Sequence, residues 1–281
     1  MNHLNENIIE QSGIEILQSL GWTYFSGPLI APGAEQSERE NYEQIILIER
    51  LRKAIQTLNP HIPPDAQKQA LQKALRIYSP DLLHNNEAFH SLLVEKIKIP
   101  YQQAGFERSF GVALIDFENT FNNEYLVVNQ YTVVENNQTK RADLLLFVNG
   151  IPLVLIELKN AAREQATLLK AYEQVQNYKA TIPSLFTYNA ICVISDGHEC
   201  KAGTISSSFS RFMTWKTSDG KKEASRLRPQ LETLLKGMLN PSTLLDLLRN
   251  FIVFEKSKKE DPDTGITQIE TDKKLAAYQQ Y

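Results

Sequence analysis

At 281 residues, 42% of them hydrophobic, the chain has apolar material for one large core or two modest ones, which excludes disorder as its default state. Lys and Arg number 30 against 33 Asp and Glu; the net charge of −3 supplies no global attraction to a polyanion, so any nucleic-acid contact must come from a local basic face, metal ions or partner subunits. Cys192 and Cys200 are too few for a zinc cage or disulfide framework, the first residues lack the basic-then-apolar order of a leader, and no run approaches ~18 apolar residues, so a soluble cytoplasmic protein without a membrane partner is expected.

In chain order, residues 5–20 place Ile9, Gly13, Ile16, Leu17 and Leu20 on one side at helical spacing, and Gly21 ends that helix. A loop bearing Gly27, Pro28, Pro32 and Gly33 leads to a second predicted helix over 42–58, with Ile45, Ile48, Leu51, Ile55 and Leu58 in step and Asn59-Pro60 closing it. Pro64 and Asp65 are start signals for a third helix reaching residue 77, and 86–94 reads as a fourth. Strands are expected to begin near Tyr101, because 110–117, 125–135, 141–148, 153–159 and 190–195 are short runs rich in Val, Ile, Leu, Phe and Tyr. Residues 163–180 have the length and the Ala, Leu, Gln and Lys content of a crossover helix, stopped by Pro183. The stretch 203–223 reads as loop, 227–239 and 242–251 as helices, and 256–267 as a charged linker containing Pro and Gly. The fold class is therefore α/β: a mixed sheet of about five strands flanked by helices, preceded by a mostly helical part over residues 1–100.

The stretch 141–159, R-A-D-L-L-L-F-V-N-G-I-P-L-V-L-I-E-L-K, has the signals of a β-hairpin turning at Asn149-Gly150. Both strands are apolar on both faces, which places them inside a covered sheet, where Asp143 and Glu157 stand out as charges. A two-residue loop pairing Val148 with Ile151 would set Asp143 opposite Ile156 and send the two acids to opposite faces. A three-residue loop, or a bulge near the carboxylates, restores a shared face, and Pro152 already weakens regular pairing. Glu157 and Lys159 lie two apart and point the same way in a strand, with Leu158 directed into the core. Two carboxylates and an ammonium converging at a strand end form an arrangement able to hold Mg²⁺ through Asp143 and Glu157, with Lys159 orienting or deprotonating a nucleophilic water for phosphodiester hydrolysis. The competing reading makes Asp143 a strand-end surface charge and Glu157 to Lys159 a plain salt bridge.

The run D-L-L-L-F-V-N-G-I-P-L-V-L-I-E-L-K-N resembles the nuclease core of the R subunit of type I restriction-modification enzymes. The likeness extends to L-G-W-x-Y near residue 20, L-N-P-H-I-P-P at 58–64, L-I-D-F and Y-L-V-V-N-Q-Y within 114–131, and A-Y-E-Q-V-Q-N-Y-K at 171–179. The resemblance implies a restriction-endonuclease-like fold of the PD-(D/E)-x-K kind, with Asp143, Glu157 and Lys159 cutting DNA with Mg²⁺. It matches the family's Q-x-x-x-Y signature to Gln174 and Tyr178, which share a helix face. Related nucleases add an acid from the first helix, for which Glu10 is the candidate and Glu6 the next. Ala142 stands before Asp143 where the wider motif has proline, a change of backbone shaping that leaves the metal chemistry intact.

Arg141, Arg163 and Lys170 are the nearest candidates for DNA-phosphate contact, followed by Lys179, Arg211, Lys216, Lys221 and Lys222. Trp215 is expected in the core, and His3, His61, His84, His90 and His198 show no metal-ligand spacing. No G-x-x-x-x-G-K-[ST] segment occurs, yet the tail L-A-A-Y-Q-Q-Y resembles the glutamine-containing start of the family's motor. The resemblance thus implies a nuclease domain over residues 1–235, then a helical connector, charged linker and motor start over 236–281. The partners it implies are DNA and the methyltransferase (M) and specificity (S) subunits, with ATP used by the full-length subunit only. The alternative from another class is a non-catalytic module of nuclease fold that contacts DNA or partner subunits.

Overall fold

Two Asn-containing turns organise the centre of the molecule. The computed structural model describes residues 6–77, 79–103, 106–159, 168–225, 228–260 and 267–281. Strands β4 (Tyr125–Glu135), β5 (Gln138–Val148) and β6 (Ile151–Leu158) form an antiparallel meander through Asn136-Asn137 and Asn149-Gly150, all four residues having positive φ as two-residue hairpin turns require. The Asn149 side chain also donates to the Leu114 carbonyl and to Asn123, and it accepts from the Glu124 amide, which fixes the turn from both sides. Around the meander, β1 (Thr23–Ser26) pairs parallel with β4, β7 (Ile191–Ser195) parallel with β6, and β8 (Cys200–Gly203) antiparallel with β7. The result is a six-stranded mixed sheet in the order β1-β4-β5-β6-β7-β8.

Helices cover both faces, which is why β6 is buried along its whole length. One face packs on α1 (Glu6–Ser19), α2 (Ile48–Leu58), α3 (Pro64–Leu75), α4 (Leu82–Glu95), α7 (Gln230–Gly237) and α8 (Pro241–Asn250), through residues such as Leu17, Leu51, Ala70, Leu234 and Leu248. The other face packs on α5 (Leu168–Thr181) and α6 (Pro183–Tyr188), through Ala171, Val175, Tyr178 and Phe186. Helix α5 makes the crossover between parallel β6 and β7, and Pro183 both follows its end and starts α6. Two further ribbons stand outside the sheet: β2 (Ile97–Gln103) with β3 (Phe106–Val112), and β9 (Ile252–Glu260) with β10 (Thr267–Leu275).

Several expectations need correction. The second helix begins at Ile48, not at 42, because the carbonyls a longer helix would use are taken. Buried Arg39 donates to the Tyr42 and Gln44 carbonyls, the Tyr131 hydroxyl to Ile45, and the Val134 amide to Tyr42. The sheet has six strands instead of five; β1 lies within the part expected to be helical, and β8 lies just ahead of the stretch expected as loop, sharing only Gly203 with it. The strand expected over 110–117 belongs to the β2–β3 ribbon and ends at Val112. Of the charged linker expected over 256–267, residues 256–260 belong to β9 and residue 267 to β10, and 261–266 lie outside the described residues. The inward face of β9 and β10 carries Ile252, Phe254, Lys273 and Leu275, so a few anchoring side chains outweigh the polar composition. No helix among the described residues is long and apolar enough to cross a membrane.

Candidate active site at the ends of β5 and β6

The β5–β6 ladder starts in the register the turn dictates, Val148 with Ile151 and Phe147 with Pro152. Between Leu146 and Phe147 it shifts by one residue, and from there Leu146 faces Val154, Leu145 faces Leu155 and Leu144 faces Ile156. Leu153 is the extra residue, placed where Pro152 cannot donate to a ladder. Continued by one step, this register sets Asp143 against Glu157. Beyond the last ladder pair the Asp143 Oδ2 accepts the Leu158 amide at 2.8 Å, so the carboxylate takes over where backbone pairing stops.

Glu157 is 2% exposed and its Oε1 receives the Lys159 ammonium at 2.5 Å. Its Oε2 is buried and makes no hydrogen bond of ordinary geometry among the described residues, for the Tyr178 hydroxyl that lies close to the carboxylate donates to the Arg141 carbonyl. Burial first, and then the charge of Asp143, push the Glu157 carboxyl up to about 8 against the pull of Lys159 and of the Tyr178 hydroxyl. Asp143 is pushed up as well, by burial, with Glu10 and Glu6 adding to the effect and the Leu158 amide and Lys159 opposing it. For Lys159, burial favours the neutral amine but Glu157 and Asp143 outweigh it, so the ammonium is stabilised. The Lys159 backbone is fixed separately, its amide donating to the Ser195 carbonyl at 2.8 Å.

Helices on the two faces close in on this sheet end. From α5, buried Tyr178 donates its hydroxyl to the Arg141 carbonyl at 2.8 Å, locking the start of β5 to the helix. Burial, then the negative charge of Glu157, raise the Tyr178 pKa, and Gln174 one turn earlier interacts with the same hydroxyl. From α1, half-buried Glu10 accepts Asn129 Nδ2 at 2.7 Å and the Gln130 amide. Glu6 is exposed on the first turn of the same helix.

The structure thus brings together Asp143, Glu157, Lys159, Gln174, Tyr178 and Glu10. Of the basic candidates, Arg141 is exposed and close by sequence, Lys170 is exposed and paired with Glu173 at 2.8 Å, and Arg163 lies outside the described residues. Lys179 donates to Gln176 and Lys216 pairs with Glu223. Trp215 is buried, as expected. Asn129 and Gln130 were not among the candidates. The signal available was the slip in apolar alternation within Y-L-V-V-N-Q-Y-T-V-V: Leu126 and Val128 lie on the side of the sheet that α5 covers, yet so do Tyr131 and Val133.

Among the described residues no group of three or more His, Cys, Asp or Glu forms a metal cage. What the site offers a cation is two carboxylates, one with a buried, partnerless oxygen, which fits the small hard ions that keep much of their water.

Residues 3–211 match the family model described as the type I restriction enzyme R protein N terminus. The chain is 39% identical to the type I restriction enzyme HindI endonuclease subunit of Haemophilus influenzae, over 99% of this chain and 26% of that protein. It is 31% identical to the protein assigned as the MjaIXP endonuclease subunit of a type I restriction enzyme in Methanocaldococcus jannaschii, over 91% of this chain and 26% of that one. A third relative, the EcoprrI endonuclease subunit of Escherichia coli, is 30% identical over 52% of this chain. The chain therefore spans 26% of the length of the first two relatives.

Proposed function

The chain belongs to the family of type I restriction enzyme R proteins, matching their N-terminal region, and on that premise we propose that it is a divalent-metal-dependent DNA endonuclease unit of restriction-endonuclease-like fold. The observation that carries the reading is the Leu153 bulge, which shifts the β5–β6 register by one so that its continuation would set Asp143 against Glu157, beside the Lys159 ammonium. A surface salt bridge needs no such arrangement, and a buried carboxylate oxygen without a partner is a standing destabilisation unless something binds there.

In this reading Asp143 and Glu157 would hold the cation, Mg²⁺ by the hardness of the oxygen ligands. Such an ion would supply Lewis-acid polarisation of the scissile phosphate. Lys159 presents its ammonium at the mouth of the site, where it orients the attacking water and offsets charge on the phosphate. Tyr178 and Gln174 hold the β5 end and wall the site on the α5 side, while Arg141, with Arg163 and Lys170, supplies phosphate contacts. The near-neutral overall charge of −3 fits a unit whose DNA is held largely by partners, the modification and specificity subunits. ATP-driven movement of DNA then belongs to the longer subunit, acting in the cytoplasm.

The test is restriction in cells by the complete enzyme carrying Asp143→Ala, Glu157→Ala or Lys159→Ala in this segment. Each variant is expected to lose restriction while retaining ATPase activity. Restriction at the wild-type level in all three would leave only a non-catalytic docking role for this fold.

A further inference from the structure

Strand β4 contains a backbone irregularity that the roles assigned so far do not use. Gln130 has φ of 51°, a left-handed conformation uncommon for a residue other than glycine and rarer still within a strand. Its place is specific: on the β4–β5 ladder Asn129 faces Leu144 and Tyr131 faces Ala142, so Gln130 sits across from Asp143.

Neighbouring residues of a regular strand point to opposite faces. Asn129 and Gln130 nevertheless send their side-chain amides to the two oxygens of one carboxylate, Glu10 Oε1 and Oε2. The left-handed residue is what permits this, because it rotates the Gln130 side chain out of alternation. The change of phase between Val128 and Tyr131 falls at this residue, and β5 changes phase opposite it, between Leu145 and Ala142. The surroundings accommodate the displaced backbone. Gly27 donates its amide to the Asn129 carbonyl at 2.9 Å, and a Cβ at Gly27 would collide with the Asn129 and Gln130 carbonyl oxygens. The Tyr24 hydroxyl donates to Asn129 Oδ1 at 3.1 Å, which leaves the Asn129 NH₂ group aimed at Glu10. Strain of order 1–3 kcal/mol at such a residue persists only when its surroundings over-determine it, and it concentrates at functional sites.

We propose that Asn129 and Gln130 are positioning residues that hold the Glu10 carboxylate beside Asp143, so that cation binding at the Asp143–Glu157 pair depends on the left-handed kink in β4. The proposal rests on the nuclease reading above. Glu10, with both oxygens engaged by amides, acts as an outer negative charge directed at the cation site, and the two amides set where that charge stands.

Calorimetric titration of the 281-residue chain with Mg²⁺ and Mn²⁺ tests it, using Gln130→Gly, Glu10→Gln, the double variant and Asp143→Ala. Glycine accepts the left-handed backbone while removing the side chain that carries the amide, so Gln130→Gly is expected to melt at or above the wild-type temperature yet bind the cation roughly tenfold more weakly. Glu10→Gln is expected to lose a similar factor, and the double variant no more than either alone, because both changes remove one interaction. Wild-type affinity in Gln130→Gly, or losses that multiply in the double variant, would overturn the positioning role while leaving the nuclease reading intact, provided Asp143→Ala has lost binding. An Asp143→Ala chain that binds like the wild type would bring down the nuclease reading and this inference with it.

Discussion

Glu157 is the residue at which stability and the proposed chemistry conflict. It is 2% exposed, its Oε2 makes no hydrogen bond of ordinary geometry among the described residues, and the charge of Asp143 acts on it. Desolvation and like charge both act against the ionised form, and Lys159 offsets only part of that. A glutamine of the same shape removes the charge, so Glu157→Gln is expected to melt higher than the wild type in chelator, by roughly 2–4 °C for each kcal/mol relieved. Added Mg²⁺ should reverse the order: a ligand that binds only the native state raises the wild-type midpoint, and the variant should not respond. Calorimetric melts with and without the ion check both halves. A variant that melts below the wild type in chelator would mean that the Lys159 contact outweighs the burial.

At the scale of elements, two one-residue irregularities build the site, and they were not equally legible. The β6 bulge could be anticipated because Asn149-Gly150 fixes the turn, Pro152 disturbs the ladder, and two acids in an apolar hairpin make sense only on one side. Whether the loop or the strand would supply the extra residue was open. The β4 kink went unread, although its signal lay in the phase of Leu126, Val128, Tyr131 and Val133, because no turn residue marks it. The space it needs comes from Gly27 on a neighbouring strand end, a long-range fact no local pattern encodes. Gly27→Ala is therefore expected to push β1 and β4 apart at Asn129, costing about 1–3 kcal/mol, the range for overpacking. It should also weaken Mg²⁺ binding, since Glu10 loses its fixed partners. Urea unfolding and the same cation titration measure the two effects; wild-type values in both would show that the strands yield without consequence.

Over the whole molecule, the β9–β10 ribbon shows how a segment of charged composition became part of the body. Lys273 of β10 is 1% exposed and donates to Asn86 Oδ1 of α4 at 2.8 Å and to the Asn189 carbonyl ahead of β7 at 2.9 Å. Its backbone is held by Thr204 and Ser206, and its ammonium lies 5.5 Å from the Phe254 ring centre. The titratable groups around it are His90 of α4, lowered to about 4 by burial and by Lys273, and the Cys192 thiol of β7, pushed up to about 12 by burial. Burial lowers Lys273 itself from 10.5 to about 7. Between those values the unfolded chain binds a proton that the native chain does not, so this group makes the protein more stable as pH rises from 7 toward 10, with its full destabilisation present below 7. Lys273→Met keeps the apolar stem and removes the titration. It leaves Asn86 Oδ1 without its donor, while the Asn189 carbonyl keeps Asn86 Nδ2, a loss that shifts stability at every pH without tilting it. Denaturant unfolding at pH 6.5 and 8.5 should show the wild type gaining roughly 1–2 kcal/mol more than the variant over that interval. Two proteins with parallel pH dependence would mean that the buried amine keeps its proton, and that the ribbon is clasped to the body by a charge rather than by a neutral hydrogen-bonding group.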